Sequence, residues 1–233
     1  MSYNKILDND IKAIKKDLFN LVEATKSQYA KTFDALKKED FALAQQVVDG
    51  DLKINDMQNN FTKMALWKIA KQQMVAGDLR LAVGGILISR EIERIADVAK
   101  HICNYTIKYK PEPLEIDMIS KMFDQVNAML NIIFSLIENY TDDQHHKVMK
   151  IEKSLNEQFY SLSVALAERI KESKTDSEAE KAISTIRQLK NLERAGEHLI
   201  NTEETLQFIR TGKFEEIEES LIETIDEESK TSK

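Results

Sequence analysis

The chain has 233 residues, enough for one large or two small domains with a sizeable core, and a net charge of −7. Six glycines, two prolines and no strand-type alternation point to an all-α protein, and no apolar run approaches the roughly 20 residues that span a bilayer. No basic stripe offers itself to nucleic acid, the N-terminus lacks the basic and apolar regions of a signal peptide, and a single cysteine, Cys103, suits a reducing cytoplasm.

The first predicted helix runs from Tyr3 to Ala35, with the charged turn Lys37-Lys38-Glu39-Asp40 after it. The second starts at Asp40, a suitable N-cap, and continues to Val75, with a bend expected around Gly50 because glycine weakens a helix by about 1 kcal/mol. Gly77-Asp78 opens the third, which extends to Lys108. Pro111-Glu112-Pro113 then blocks helix continuation and divides the chain into halves.

The fourth helix is expected from Leu114 to Tyr140, and the fifth from Thr141-Asp142-Asp143 to Ser173. The sixth opens at Asp176 or Ser177 and ends near Gly212. Long helices joined by short turns pack as antiparallel neighbours. Residues 213–233 hold eight acids against three lysines and read as a solvated, disordered tail.

The halves echo each other. Residues 78–105 and 185–210 each carry a Leu/Ile-Glu-Arg block that sets two carboxylates four apart, Glu93 with Asp97 and Glu193 with Glu197. Earlier in each half, Asp51-Leu-Lys-Ile-Asn55 matches Glu152-Lys-Ser-Leu-Asn156 at nearly the same offset. Two motifs in one order imply two copies of a three-helix bundle: 1–110 and 114–212, with 213–233 as the tail.

Residues four apart share a helix face, so each acidic pair repels by a few tenths of a kcal/mol unless a cation lies between. At 100° per residue, Ile88, Ile92, Ile95, Ala99 and Ile102 form a stripe about 80° wide. Arg90, Glu93, Asp97, His101 and Asn104 lie roughly opposite, so a site here is an open one, and a solvated face with no ligand is the plainer alternative. Asp51 and Asn55 share a face of the second helix with Gln58 and Thr62 nearby. Their hard oxygens suit magnesium, manganese, iron or zinc rather than copper.

Asp78-Leu79-Arg80, the block 92–97, its echo 192–197, and Asn201 with Glu204 resemble the PhoU family of phosphate-signalling accessory proteins, over about residues 3–212. The resemblance implies two tandem three-helix bundles whose duplicated acidic motifs bind divalent or trivalent metal ions at the surface. It implies a regulatory adaptor that damps high-affinity phosphate transport and the phosphate-starvation response when phosphate is plentiful. The implied partners are the ATPase subunit of a phosphate ABC transporter and a phosphate-sensing histidine kinase. The protein would be cytoplasmic, peripheral to the membrane through these partners only, with homo-oligomerisation left open.

Carried over, the first metal site falls on Glu93 and Asp97, with Asp51 from the second helix. The second falls on Glu193 and Glu197, with Glu152 as its counterpart and Glu204 downstream. Glu197 stands where the family has aspartate, and Asn104 stands opposite Glu204 in the repeat, so equal affinity at the two sites is not expected. Glu204 favours the second.

Other residues have simpler readings. His101 shares the acidic stripe and could lend a nitrogen, His198 lies off it, and His145 with His146 begin a helix. Arg80, Arg94 and Arg194 suit a phosphate or a partner's carboxylate, with ion pairs to neighbouring acids as the default. Trp67, Met57, Met64 and Met74 have core spacing. The chain contains no Glu-x-x-His, no phosphate-cradling glycine loop and no nucleophile with its base, which argues against an enzyme. A metal-dependent helical enzyme and a structural bundle without metal remain the alternatives.

Overall fold

A computed structural model describes residues 3–138 and 141–213. Among them are six α-helices and no strand: α1 Tyr3–Lys38, α2 Phe41–Lys71, α3 Ala76–Tyr109, α4 Pro113–Glu138, α5 Asp142–Glu172 and α6 Asp176–Thr211. Helices α1–α3 and α4–α6 each form an antiparallel three-helix bundle, and α3 packs against α6 to join the two. The acidic tail from residue 214 onward lies outside the described residues.

Local chemistry sets the boundaries. Asp40 caps α2, its carboxylate accepting from the Leu43 N–H at 2.9 Å. Pro113 occupies the first position of α4, where a missing N–H costs nothing, and the Glu115 carboxylate turns back to accept from the Glu112 N–H at 2.7 Å. Thr175 caps α6, and Gly212 ends it at φ 82°, a left-handed conformation that glycine adopts without penalty.

One expectation fails at α2. The helix runs unbroken through Gly50, but it ends at Lys71 rather than Val75. Its last turn is tied to α1 instead: Lys68 pairs with Asp10, and the Gln72 side-chain amide donates to the same carboxylate at 2.9 Å. These bonds hold Asp10 below the usual carboxylate range, the Lys68 hydrogen bond outweighing burial.

The core follows the repeat. Ile92, Ile95 and Ala99 of α3 are fully buried, as are Leu192, Ala195 and Leu199 one hundred positions later in α6. Each fully buried Ile or Leu contributes about 2 kcal/mol. One continuous core unites the two bundles: the Tyr29 and Phe33 rings of α1 each lie 5.1 Å from Phe123 of α4. Trp67 departs from its expected core position, being 56 % exposed with the Lys71 ammonium 4.5 Å from its ring.

Candidate functional site

The first acidic site lies where α3 packs on α2. Asp51 of α2 is only 2 % exposed, and Glu93 and Asp97 of α3 are half-buried beside it. The site is therefore set into a helix interface rather than spread over an open face. Burial, then the charges of Asp97 and Asp51, push the Glu93 carboxyl above its usual range.

A residue that the sequence reading passed over completes it. The Lys100 ammonium reaches Asp51 Oδ2 at 2.8 Å and also contacts Asp97. Burial would lower the Lys100 pKa, but the hydrogen bonds to the two aspartates prevail and raise it. His101 Nε2 lies 3.3 Å from Asp97 Oδ2. The signal was present in the sequence, since Lys100 stands three residues after Asp97 on the same side of the helix.

The second site repeats the idea with a different lysine. Lys190 contacts Glu193 and lies 4.0 Å from Glu197 Oε1, with its ammonium over the Phe159 ring of α5. The repeat counterparts of Lys190 and Lys100 are Arg90 and Ile200, so the two neutralising lysines hold unrelated positions. Glu193 keeps only 12 % side-chain exposure, whereas Glu197 keeps 52 %. Glu152 on α5 accepts from Asn156 at 2.6 Å. Glu204 lies seven residues beyond Glu197, about 10.5 Å along the axis, so it extends the acidic strip rather than closing the Glu193 pair.

Whether these residues suit a metal ion can be judged from their unmet bonds. Asp51 Oδ1 and Asn55 Oδ1 are buried acceptors without a hydrogen-bond partner, and Glu93 resists ionisation. Both mark a deficit of positive charge among hard oxygen donors, which fits a divalent cation. Yet among the described residues no three His, Cys, Asp or Glu side chains converge as a ready ligand set. The ammonium of Lys100 lies between two of the carboxylates instead, so a cation would enter only as it withdraws.

His101, His145 and His198 keep their expected places and find carboxylate partners, while the arginines depart from expectation. His198 is buried and bonds Glu91 Oε2 at 2.8 Å, joining α6 to α3. His145 Nδ1 lies 2.9 Å from Glu203 Oε1, a carboxylate fully buried in the second bundle that the sequence reading did not single out. Arg80 donates to the Ile209 carbonyl at 3.3 Å. Arg94 and Arg194 do not form the expected ion pairs: neither comes within 4.0 Å of a carboxylate among the described residues.

Fold and site together define a class: a duplicated three-helix bundle with an acidic pair on the third helix of each copy. The family model for the PhoU domain matches the chain twice, at residues 18–106 and 119–205. The chain belongs to the PhoU family. It is 22% identical over 209 residues to the phosphate-specific transport system accessory protein PhoU homolog 1 of Thermotoga maritima, covering 88% of this chain and 89% of that one. It is 28% identical over 192 residues to the PhoU homolog of Caulobacter vibrioides, covering 80% and 82%. The crystal structure of PhoU from Pseudomonas aeruginosa shares the fold at a TM-score of 0.81 and 24% identity, over 88% of this chain and 99% of that one. The phosphate transport system regulatory protein PhoU from Streptococcus pneumoniae does so at 0.80 and 16%, over 91% and 100%.

Proposed function

We propose that this chain is a regulatory accessory protein of phosphate transport, damping high-affinity uptake and the phosphate-starvation response when phosphate is plentiful. The observation that carries the reading is the double family match, one copy per bundle, together with relatives of similar length named as accessory proteins of the phosphate-specific transport system. It acts in the cytoplasm on the transporter's ATPase subunit and on a phosphate-sensing histidine kinase, without catalytic turnover. No helix among the described residues is long and apolar enough to cross a membrane, which suits a protein that reaches the membrane through its partners.

In this reading Asp51, Glu93 and Asp97 hold one metal ion or cluster, with Asn55 as a neutral oxygen donor. Glu193 and Glu197, with Glu152 and Glu204 nearby, hold the second. Iron, zinc, manganese or magnesium would take the place of the Lys100 and Lys190 ammonium groups as the positive charge at these carboxylates. Deleting the gene should raise phosphate uptake or starvation-gene expression in phosphate-rich medium. Unchanged uptake and expression, in a genome with no second copy, would sink the assignment.

Lys100 and Lys190 favour a second reading, in which the acidic pairs are neutralised by the chain itself and metal has no part in function. Metal analysis of protein purified without added metal or chelator separates the two.

A further inference from the structure

We propose that the groove between α3 and α6 is a binding site for inorganic phosphate, held between Arg94 and Arg194. The two arginines occupy equivalent positions in the repeat. Tyr105 meets Thr185 at 2.7 Å and Tyr109 meets Glu180 at 2.8 Å toward one end, while Arg80 meets Ile209 toward the other. This antiparallel register sets Ile95 opposite Ala195, so the pseudo-twofold axis that exchanges the bundles passes between Arg94 and Arg194.

They line one groove of about 260 Å³, together with Asp97, His101, Asn191 and His198. The charge there is unbalanced. Two arginines line the groove against one carboxylate, Asp97, which Lys100 and His101 already hold. Burial would raise the Glu91 carboxyl, but hydrogen bonds from His198 and Asn201, and last the charges of His198 and Arg94, hold it low. Arg94 comes within ion-pairing distance of neither Glu91 nor Glu93. Two guanidiniums facing one groove without a carboxylate partner repel each other, and an anion between them removes that cost. The fork of a guanidinium matches the oxygens of a phosphate two at a time.

The same wall carries one acceptor. Asp97 bonds Lys100 and His101, but each carboxylate oxygen has a second lone pair. Near neutral pH a phosphate ion keeps a proton on one oxygen and can donate it to Asp97. Sulfate has none, so Asp97 repels it. A groove with several donors and one carboxylate acceptor therefore selects phosphate over sulfate.

The oxyanion site stands on this geometry alone. The choice of free phosphate as occupant rests on the proposed role in phosphate regulation. The test is titration calorimetry on the full chain, stripped with chelator and dialysed so that no metal bridges the anion. Inorganic phosphate should bind at least tenfold more tightly than sulfate, and Arg94→Gln with Arg194→Gln should weaken it at least tenfold. Arg90→Gln, an exposed arginine outside the groove, should leave binding unchanged, and Asp97→Asn should bring phosphate and sulfate together.

All these side chains are at least partly exposed, and circular dichroism checks that the variants fold. Equal binding of sulfate, full phosphate binding by the double arginine variant, or heat from a nucleoside triphosphate but none from phosphate would each overturn the proposal. Phosphate bound here, with uptake unaltered in the deletion strain, would sink the regulatory role and leave the site standing.

Discussion

The Lys100 ammonium of α3 bonds Asp51 Oδ2 of α2 at 2.8 Å, and this one contact makes the first acidic site a closed one. Asp51 is almost wholly buried, so its charge needs a partner, and Lys100 supplies it. A metal ion and this lysine compete for the same carboxylates. Lys100→Met should therefore raise affinity for manganese or zinc at this site, read by calorimetry. Without metal the same change should lower stability by about 2 kcal/mol, since it leaves a buried carboxylate unpaired. Unaltered metal affinity would show that the ligands lie elsewhere.

Glu93 and Asp97 should respond oppositely to neutralisation. On spacing alone each carboxylate repels the other, so removing both would be neutral or slightly stabilising in metal-free buffer. Lys100 and His101 now hold Asp97, whereas Glu93 bears the repulsion and the burial. Because the folded pKa of Glu93 is raised, its contribution to stability is fully present below the unfolded pKa. That contribution is lost as pH rises through the folded value. Glu93→Gln should thus stabilise the metal-free protein at pH 7 by about half a kcal/mol and flatten the decline of stability above about pH 4.5. Asp97→Asn should destabilise it. Urea titrations across pH 4 to 8 distinguish the two.

The α1–α2 junction gives the opposite pH signature. The folded pKa of Asp10 is lowered, first by the Lys68 hydrogen bond, so its stabilisation is present above the unfolded pKa and disappears as pH falls through the folded one. Asp10→Asn should lower the melting temperature at pH 7 and leave it unchanged well below pH 3. An equal loss at both pH values would assign the effect to packing alone.

Six helices, their order and the duplicated bundle were legible because each rests on local signals: apolar residues at helical period, Asp40 as a cap, Pro111 and Pro113 as a break. The buried face of α3 was legible for the same reason. Partner identity was not, since it depends on which helix faces which. Asp51 read as an oxygen donor sharing a helix face with Asn55, but only the α2–α3 packing shows it buried against Lys100. Trp67 had core spacing, but it falls on the face of α2 that no helix covers. Arg94 and Arg194 had acids nearby in sequence, yet the side chains turn into the α3–α6 groove, where their neighbours come from the other bundle.

Two glycines in helix interiors should behave in opposite ways. Gly50 is exposed, its φ is not positive, and an added Cβ would meet nothing within 4 Å. Gly50→Ala should therefore stabilise the protein by about 1 kcal/mol, through helix propensity and the smaller entropy of the unfolded chain. Gly84 lies where α3 approaches α6, and a Cβ there would come within 2.5 Å of Ile209 Cγ1 and 3.4 Å of Thr205 Cγ2. Valine at this position gains a few tenths of a kcal/mol in propensity but must displace the Ile209 side chain that packs α6 on α3. Overpacking of that kind costs roughly 1–3 kcal/mol, so Gly84→Val should destabilise by about 2 kcal/mol in urea unfolding. Because the same helices wall the arginine groove, the variant should also bind phosphate more weakly. If Gly84→Val proved as stable as Gly50→Ala, the close approach of α3 to α6 would not be what holds the bundles together.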